Sequence, residues 1–360
     1  MKKRYWIAGT CGVLFAVIVL AVIGKLAMSG DTASGVSNSP SWETPKDGLE
    51  ARLRRHMERL TSREMEGRLN SSSGYRRAAD YCAQSFSSVG IEPGWTEPGK
   101  KAVFFQPVRE GKIDCVNIIA RLPGSDPQLR NEYITLGAHL DHIGKNWLGR
   151  QYPGANDDAS GCAAVLEAAR VLAAKPPKRT IIFVLFTAEE FGHIGSQHFV
   201  KNPPVPLDRV LMNVNLEQIG GYHRDYPGIF AFGPPSQRST FESAGRSVFG
   251  TWVLLEDIQN HLPAVRESDT WSFLQAKQPA VILSSGGFPE HHTSKDTVAL
   301  IDFDHLTHTT SVIISYVREL AGGDDAGLIK RNGEPDGAAN GSQPIRSDTN
   351  STSSAAGSRR

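Results

Sequence analysis

Apolar runs broken by short polar turns divide most of the chain into segments, and their lengths distinguish strands from helices. Residues 180–186 (TIIFVLF) contain no charged side chain, which predicts a strand buried on both faces, as in a parallel sheet covered by helices. Residues 210–216 and 280–283 are apolar runs of the same kind. Residues 159–174 are rich in Ala and Leu and predict a helix that ends before Pro176.

The flanking segments predict further elements. Residues 49–60 and 74–88 have helical spacing, and the second of these helices is expected to end at Gly90. Alternating strands and helices predict a single α/β domain, in which a mostly parallel, mixed sheet is sandwiched between helices. The remaining expected elements are strands at 103–108, 115–120 and 132–136 and a closing helix at 302–320.

The first 28 residues differ from the rest of the chain. Lys2, Lys3 and Arg4 precede an uncharged run at 5–24, and a helix of that length is about 30 Å long, enough to cross the hydrocarbon core. We expect an uncleaved signal anchor at 1–28, with the remainder extracytoplasmic, either periplasmic or extracellular. The alternative is a long, cleaved signal that leaves the protein secreted. The other expected units are a flexible linker at 29–43, a folded domain at 44–321 and a disordered tail at 322–360.

The nearly balanced charge of the chain argues against a nucleic-acid partner. Lys+Arg 39 against Asp+Glu 38 gives a net charge of +1 over 360 residues, so no nucleic-acid-binding surface is expected. The sequence does not indicate an oligomeric state. Among the four cysteines, Cys11 lies in the N-terminal apolar run, and Cys162 is expected to be a small core residue. Cys82 and Cys115 form one disulfide or remain two buried thiols.

Polar side chains that can bind a metal follow the predicted strands. His139 and Asp141 come shortly after the strand at 132–136, and Asp157 stands in a Gly/Asn/Asp-rich turn before a helix. The carboxyl ends of strands are where α/β sheets bind ligands. Imidazole and carboxylate together suit Zn²⁺. The carboxylate of Asp141 is predicted to hydrogen-bond the ligand His139 and to fix its tautomer.

Five motifs follow one another along the chain: GAHLDHIG, GANDDASG, FTAEEFGHIGS, NLEQIG and HHTSKDT. In this order they resemble the co-catalytic zinc aminopeptidase family, which includes bacterial leucyl aminopeptidase, aminopeptidase S and aminopeptidase Y. The resemblance extends from about Leu49 to Leu320 and implies a single zinc-exopeptidase domain. The short interval between the helix at 74–88 and the strand at 115–120 leaves no room for the protease-associated domain that some relatives insert there.

The resemblance implies two Zn²⁺ ions per chain, bridged by the carboxylate of Asp157. Glu189 matches the general base, which takes a proton from the attacking water and passes it to the leaving amine. The matching ligands are His139 and Glu217 for one ion, and Glu190 and His292 for the other.

Three details of this site carry their own expectations. Glu217 stands where many members have Asp, which we interpret as variation among active enzymes. The Asp157–Asp158 peptide is expected to be cis, as it often is in relatives. His291, one residue from the ligand position, is expected to be exposed or to lie beside the ligands.

Other polar residues are given structural roles. Asp296 is expected to fix a loop. Glu66 and Arg68, in the EGR loop that the family shares, are expected to form a loop-anchoring ion pair, with a functional role as the alternative. Asp269 resembles part of an SDH segment in relatives, but Thr270 replaces its histidine, which argues against a substrate role. Histidines outside the motif positions are expected to be structural or exposed: His142, His193, His198, His223, His261, His305 and His308.

The leading interpretation is a membrane-anchored, exported zinc aminopeptidase that removes N-terminal residues from peptides, using a hydroxide held between the two ions. The first alternative is a glutaminyl cyclase-like acyltransferase with a single zinc. A carboxypeptidase or dipeptidase would need a cation for the substrate carboxylate, for which Arg224 and Arg266 are candidates. A non-catalytic binding ectodomain is the last alternative, although all the ligand positions are filled.

Overall fold

The structure, a computed structural model, describes residues 46–221, 228–233, 253–257, 265–286 and 288–323. The predicted anchor, the linker and residues 324–360 of the predicted tail lie outside the described residues. The described helices are α1 (Lys46–Leu60), α2 (Ser73–Ser88), α3 (Ser160–Ala173), α4 (Ile194–Lys201), α5 (Thr270–Gln275) and α6 (Phe303–Gly322). The strands are β1 (Glu92–Pro93), β2 (Phe105–Glu110), β3 (Ile113–Leu122), β4 (Tyr133–His139), β5 (Thr180–Phe186), β6 (Val210–Glu217), β7 (Ile229–Gly233), β8 (Val253–Asp257) and β9 (Ala280–Ser284). Within these ranges no helix is both long and apolar enough to cross a membrane.

The nine strands in the described residues form one mixed sheet in the order β1-β3-β5-β4-β6-β9-β7-β8, with β2 also paired to β3. The central strands β5, β4, β6 and β9 run parallel to one another. β3 is antiparallel to its neighbour β5, and β7 is antiparallel to β9. Parallel strands end at the same edge of a sheet, so the segments that follow the four central strands come together there. The predicted mostly parallel, mixed sheet is confirmed.

Helices cover both faces of the sheet, as the alternating side chains of β5 show. Phe183 faces the larger core, which includes side chains of α1, α2, α3 and α6. Phe186 points to the opposite face and packs against Phe199 of α4 and Phe273 of α5, with ring centroids 5.7 and 6.2 Å away. Since side chains alternate between the faces of a strand, both faces of β5 must be apolar. This explains its unbroken apolar sequence.

Short elements account for most of the differences from the predicted fold. The pattern did not predict α4 or α5, because helices of 8 and 6 residues are too short for helical periodicity to be visible. It also missed β1, β7 and β8. Residues 89–112, all of them described, contain only β1, β2 and a bridge between Trp95 and Val103, so no domain is inserted there.

The three cysteines in the described residues are buried free thiols. The structure therefore favours the second alternative for Cys82 and Cys115, two buried thiols instead of a disulfide. The Thr187 hydroxyl donates a hydrogen bond to Cys115 Sγ at 3.0 Å. Burial raises the pKa of Cys82 to about 12, so its thiol stays protonated and unreactive at neutral pH.

Candidate metal centre

The carboxyl edge of the central strands gathers the residues that the motifs singled out. His139 is the last residue of β4, and Glu217 is the last residue of β6. Glu189 and Glu190 follow β5, and His292 lies in the segment after β9. Asp157 enters from a separate element, the irregular turn Ala155–Ala159 that leads into α3.

Asp157 lies between two groups of side chains, and each of its carboxylate oxygens faces one group. Its Oδ1 is 3.1 Å from His139 Nε2, which is itself 3.3 Å from Glu217 Oε1. Its Oδ2 is 3.2 Å from His292 Nε2, which is itself 2.8 Å from Glu190 Oε2. The five side chains predicted as ligands thus lie together, in the two groups that the family resemblance implied. The Asp157–Asp158 peptide is cis, as expected.

The two adjacent aspartates differ in their ionisation. Burial raises the pKa of Asp157, but His291, His139 and His292 outweigh it and hold that pKa well below its usual range. Burial and the nearby Glu217 carboxylate raise the pKa of Asp158 well above its usual range. Asp157 is therefore the anion of the pair. Asp158 Oδ1 accepts the backbone N–H groups of Gly161 and Gln218, which fixes its orientation.

Around His292, a positively charged imidazole lies between two negatively charged carboxylates, those of Asp157 and Glu190. Burial and Asp157 raise the pKa of Glu190, but hydrogen bonds with His142 and His292 lower it to about 2. Burial alone lowers the pKa of His292, but Asp157 and Glu190 raise it to about 11. The imidazole of His292 therefore carries a proton between two carboxylates at neutral pH, where a bound metal cation would replace that proton.

The donor atoms fit a metal. Zn²⁺ bonds to N and O are about 2.0–2.1 Å long, which places tetrahedral donors roughly 3.3 Å apart. The imidazole nitrogens around Asp157 lie 2.9 to 3.4 Å from its carboxylate oxygens, close to that spacing. Glu217 Oε2 is buried without a hydrogen-bond donor in the described residues, as expected of a carboxylate that faces a cation. Two sets of side chains in the described residues are close enough to hold a metal ion. One set is His142, Asp157, Glu190 and His292, and the other is His139, Asp158 and Glu217.

Asp141 differs from its predicted role. His139 Nδ1 lies 3.1 Å from the backbone carbonyl of Asp141 but 4.0 Å from its carboxylate, so the carbonyl fixes the imidazole. The carboxylate instead accepts the backbone N–H of Glu189 at 3.0 Å. Burial is the main reason that the pKa of Asp141 rises to about 7. Asp141 therefore positions the backbone of the predicted base, Glu189.

The predicted ion pair between Glu66 and Arg68 is absent from the described contacts. The fully buried Arg68 donates hydrogen bonds to backbone carbonyls, including those of Leu140 and Gly154 at 2.8 Å each. Glu66 pairs with Lys145 and Arg77 instead. Because Leu140 follows His139 and Gly154 precedes Asp157, Arg68 ties together the two segments that carry these ligands.

Asp296 occupies the position expected of a loop-fixing carboxylate. Its Oδ1 accepts the backbone N–H of Asn156 at 2.8 Å, and its Oδ2 accepts that of Asp157 at 3.2 Å. Burial raises the pKa of Asp296 to about 6. The turn that carries Asp157 is therefore held from one side by Asp296 and from the other by Arg68.

Sequence reasoning missed two histidines at this site. His142, expected to be structural or exposed, lies 2.7 Å from Glu190, and His193 Nε2 lies 3.3 Å from Glu189 Oε1. His291 lies beside the predicted ligands, one of its two expected placements, 2.9 Å from Asp157. The available signal for His142 and His193 was their position: each lies within four residues of a motif position already assigned. Of the arginines considered for a substrate carboxylate, Arg266 faces the ring of Trp271, and Arg224 lies outside the described residues.

Comparison with known proteins identifies the family. Residues 117–317 match the model of "Peptidase family M28". Leupeptin-inactivating enzyme 1 of Streptomyces exfoliatus is 29% identical over 241 residues, 64% of this chain and 49% of the relative, so the match spans about half that enzyme. Leucine aminopeptidase 1 of Trichophyton equinum is 26% identical over 289 residues, 75% of this chain and 73% of the relative.

A solved structure has the same fold. The LapA aminopeptidase of Legionella pneumophila superposes with a TM-score of 0.61 at 22% identity, covering 81% of this chain and 78% of that one. Together with the family match over more than half of the chain, this confirms the family that the motifs predicted. The chain belongs to peptidase family M28.

Proposed function

We propose that the chain is a zinc-dependent aminopeptidase that hydrolyses the first peptide bond of a peptide with a free N-terminus. One observation carries this proposal. The two oxygens of Asp157 face two separate groups of imidazole and carboxylate donors, which is the arrangement needed to bridge two cations. The relatives named leucine aminopeptidase support the same activity.

The residues fit a pair of zinc ions. His139 and Glu217 would hold one ion with Oδ1 of Asp157, and Glu190 and His292 would hold the other with Oδ2. When bound, zinc supplies Lewis-acid chemistry, polarising the substrate carbonyl and lowering the pKa of water toward about 7. Imidazole nitrogens and carboxylate oxygens are the donors that zinc uses in catalytic sites.

Glu189 is proposed as the general base. Its side chain is nearly buried at the edge of the donor groups, and Asp141 holds its backbone N–H. Burial raises the pKa of Glu189 well above its usual range, although His139 opposes this. A base of raised pKa takes a proton from water more readily and can pass it to the leaving amine.

The relatives favour a substrate amine over a substrate carboxylate. Carboxylates of Glu189, Glu190 and Glu217 converge at this edge of the sheet, but two bound Zn²⁺ ions would offset the charge of the ligands among them. The net charge of the site therefore does not select the substrate terminus. The relatives named leucine aminopeptidase support a free amine, and the guanidinium of Arg266 faces the ring of Trp271. We therefore favour an aminopeptidase over a carboxypeptidase or dipeptidase.

A cavity beside the donor groups is suited to the side chain of the first residue. It has a volume of about 330 Å³ and begins at Asn156, next to Asp157. Phe288, Leu300 and Ile301 supply apolar surface among the described residues that line it. Apolar N-terminal residues are the expected substrates, because their burial in this cavity removes apolar surface from water.

We also propose that residues 1–28 hold the enzyme at the outer face of a membrane. Support comes from the basic residues at 2–4 and the uncharged run at 5–24. Fractionation of cells that express the full chain tests this proposal. Activity is expected in the membrane fraction of lysed cells, and intact cells should cleave a substrate added outside them. Release of a shortened soluble protein would show a cleaved signal instead.

The activity is tested with aminoacyl and N-blocked peptide substrates, each with and without a chelator. The wild-type protein should cleave only substrates with a free amine, lose activity with the chelator and regain it with zinc. Glu189→Gln should lower turnover by at least about 100-fold while retaining zinc. Glu50→Gln, which changes an exposed pair with Arg54, is the matched control and should remain fully active. Unchanged hydrolysis by Glu189→Gln would refute its assignment as the base.

A further inference from the structure

We propose that His142 is a direct ligand of the second metal position, the one that contains Glu190 and His292. This position then has four protein donors, against three at the position of His139 and Glu217, and it binds metal first. The inference rests on the metal pair of the proposed function and extends it to a residue outside the assigned ligand set.

His142 lies close to the carboxylates of both Glu190 and Asp157, as a ligand of a cation between them must. Its Nδ1 is 2.7 Å from Glu190 Oε1 and 3.4 Å from Asp157 Oδ2. A cation held by both of these carboxylates must lie close to each, so any further ligand must approach both. Donor atoms of His142, Asp157, Glu190 and His292 all lie within 4.8 Å of one another.

His291 provides a comparison within the same site. Its Nε2 lies 2.9 Å from Asp157 Oδ2, but in the described contacts it does not reach Glu190. Its side chain is 14% exposed, whereas that of His142 is fully buried. His291 therefore approaches the position from its solvent side and contacts a single carboxylate.

The surroundings of His142 fix the direction of its ring. The backbone N–H of His142 donates to the carbonyl of Arg68 at 3.1 Å. Gly154 packs against the ring so closely that a Cβ atom there would lie 2.6 Å from two ring carbons. The other ring nitrogen, Nε2, is buried without a hydrogen-bond partner in the described residues. The carboxylates of Glu190 and Asp157 are thus the polar groups nearest to Nδ1, and this nitrogen would be the one to coordinate a cation held by them.

Two unequal positions follow from this geometry. The second position has two imidazoles and two carboxylate oxygens, the number of donors found in closed zinc sites. The first position has His139, Glu217 and one oxygen of Asp157, which leaves it room for water and substrate. The carboxyl group of Asp158 also lies near His139 and Glu217, but its Oδ1 already accepts the backbone N–H groups of Gly161 and Gln218, so it is not counted as a donor. Additional protein donors strengthen metal binding, so the second position should retain zinc when the first has released it.

The test is a zinc titration of the metal-free full chain against a chromophoric chelator. The wild-type protein should bind two equivalents in separate steps. His142→Ala and His142→Gln should each weaken the tighter step by more than about tenfold. Gln retains an N–H donor for Glu190 but is a poor zinc ligand, so it distinguishes a ligand from a hydrogen-bond partner. Wild-type affinity in His142→Gln, or two equal steps in the wild-type protein, would overturn the proposal.

His198→Ala is the matched control, because it removes a partly buried imidazole of α4 whose charged neighbours are Lys201 and Glu110 and none of the metal donors. Its zinc affinities should remain within about threefold of those of the wild type. His291→Ala removes an imidazole that contacts Asp157 and stacks on His292 at 3.8 Å, and it should weaken the tighter step less than His142→Gln does. With Co²⁺ in place of zinc, the visible spectrum should change in both His142 variants and remain unchanged in His198→Ala. A larger effect of His291→Ala than of His142→Gln on zinc affinity would reverse the assignment.

The outcomes separate this inference from the proposed function. Unequal zinc binding that depends on His142, in a protein that cleaves no peptide, would contradict the aminopeptidase proposal alone. An active aminopeptidase whose zinc binding is unaffected by His142→Gln would contradict the ligand assignment alone.

Discussion

The guanidinium of Arg68 donates a hydrogen bond to the carbonyl of Gly154 at 2.8 Å, entirely within the protein interior. Other bonds from the same group reach the carbonyls of Leu140, Leu60 and Pro153. One side chain therefore holds three segments together: the end of α1, the residue after His139 and the turn before Asp157.

We predict that Arg68→Lys lowers the free energy of unfolding by about 1–3 kcal/mol. An ammonium group cannot reach all of these carbonyls, and each buried carbonyl left unpaired costs about that much. Urea unfolding measures the loss. Arg77→Lys, at an exposed arginine that pairs with Glu66, should change stability by less than about 1 kcal/mol. Equal urea midpoints for Arg68→Lys and the wild type would show that the buried bonds are dispensable.

Substitutions at Asp141 should distinguish its hydrogen bond from its charge. The amide oxygen of Asp141→Asn can still accept the N–H of Glu189, whereas Asp141→Ala leaves that buried N–H unpaired. We expect kcat/KM to fall at least about tenfold further in the Ala variant, with zinc content measured in parallel. Equal losses in the two variants would indicate that the charge of Asp141 matters more than its contact with Glu189.

The free energy of unfolding should depend on pH through the buried carboxylate of Glu167 in α3. It accepts hydrogen bonds from Arg52 of α1 and from Arg170, each at 2.8 Å. Burial raises the pKa of Glu167, but His56, Arg52 and Arg170 outweigh it and lower the pKa from 4.5 to about 2. A lowered folded-state pKa contributes stability that is fully present above pH 4.5 and is lost as the pH falls toward 2.

Glu167→Gln should therefore be less stable than the wild type at pH 6, by about 1–3 kcal/mol, with a smaller difference at pH 3.5. Urea unfolding at the two pH values measures this. Glu50→Gln, at an exposed pair, should show a difference below about 1 kcal/mol at both. A stability difference for Glu167→Gln that grows on acidification would contradict the direction of the pKa shift.

Zinc binding should weaken as the pH falls. Asp157 and Glu190 raise the pKa of His292 to about 11, so the imidazole must release a proton before zinc replaces it. Below that pKa, one displaced proton lowers the apparent affinity by up to about tenfold per pH unit. Competition with a chelator of known affinity at pH 6 and pH 8 measures the slope. Equal zinc affinity at pH 6 and pH 8 would show that zinc binding displaces no proton.

The family resemblance carried by the five motifs predicted which side chains would meet at Asp157. The apolar pattern agrees with it, because His139, Glu190 and Glu217 each end or follow a buried apolar run, and the ends of parallel strands share one edge. Neither the resemblance nor the pattern predicted that His142 would lie beside Asp157. The long apolar strands were predictable because burial on both faces leaves a continuous run in the sequence.

Side-chain direction was not predictable from the same pattern. β4 ends at His139, so the alternation of an extended strand no longer applies to Asp141 and His142. Beyond that point the turn directs the carbonyl of Asp141 to His139 and the ring of His142 to Glu190. Arg68 was misassigned for a related reason, since its partners are backbone carbonyls, which leave no signal in the sequence.

The most direct test of the central claim is the zinc content of the purified, folded protein, measured by elemental analysis against protein concentration. A cation pair bridged by Asp157 predicts two zinc ions per chain, falling toward one in His292→Ala, with loss of peptide hydrolysis. One zinc ion per wild-type chain would favour the glutaminyl cyclase-like alternative. A folded wild-type protein that binds no divalent cation would contradict the account.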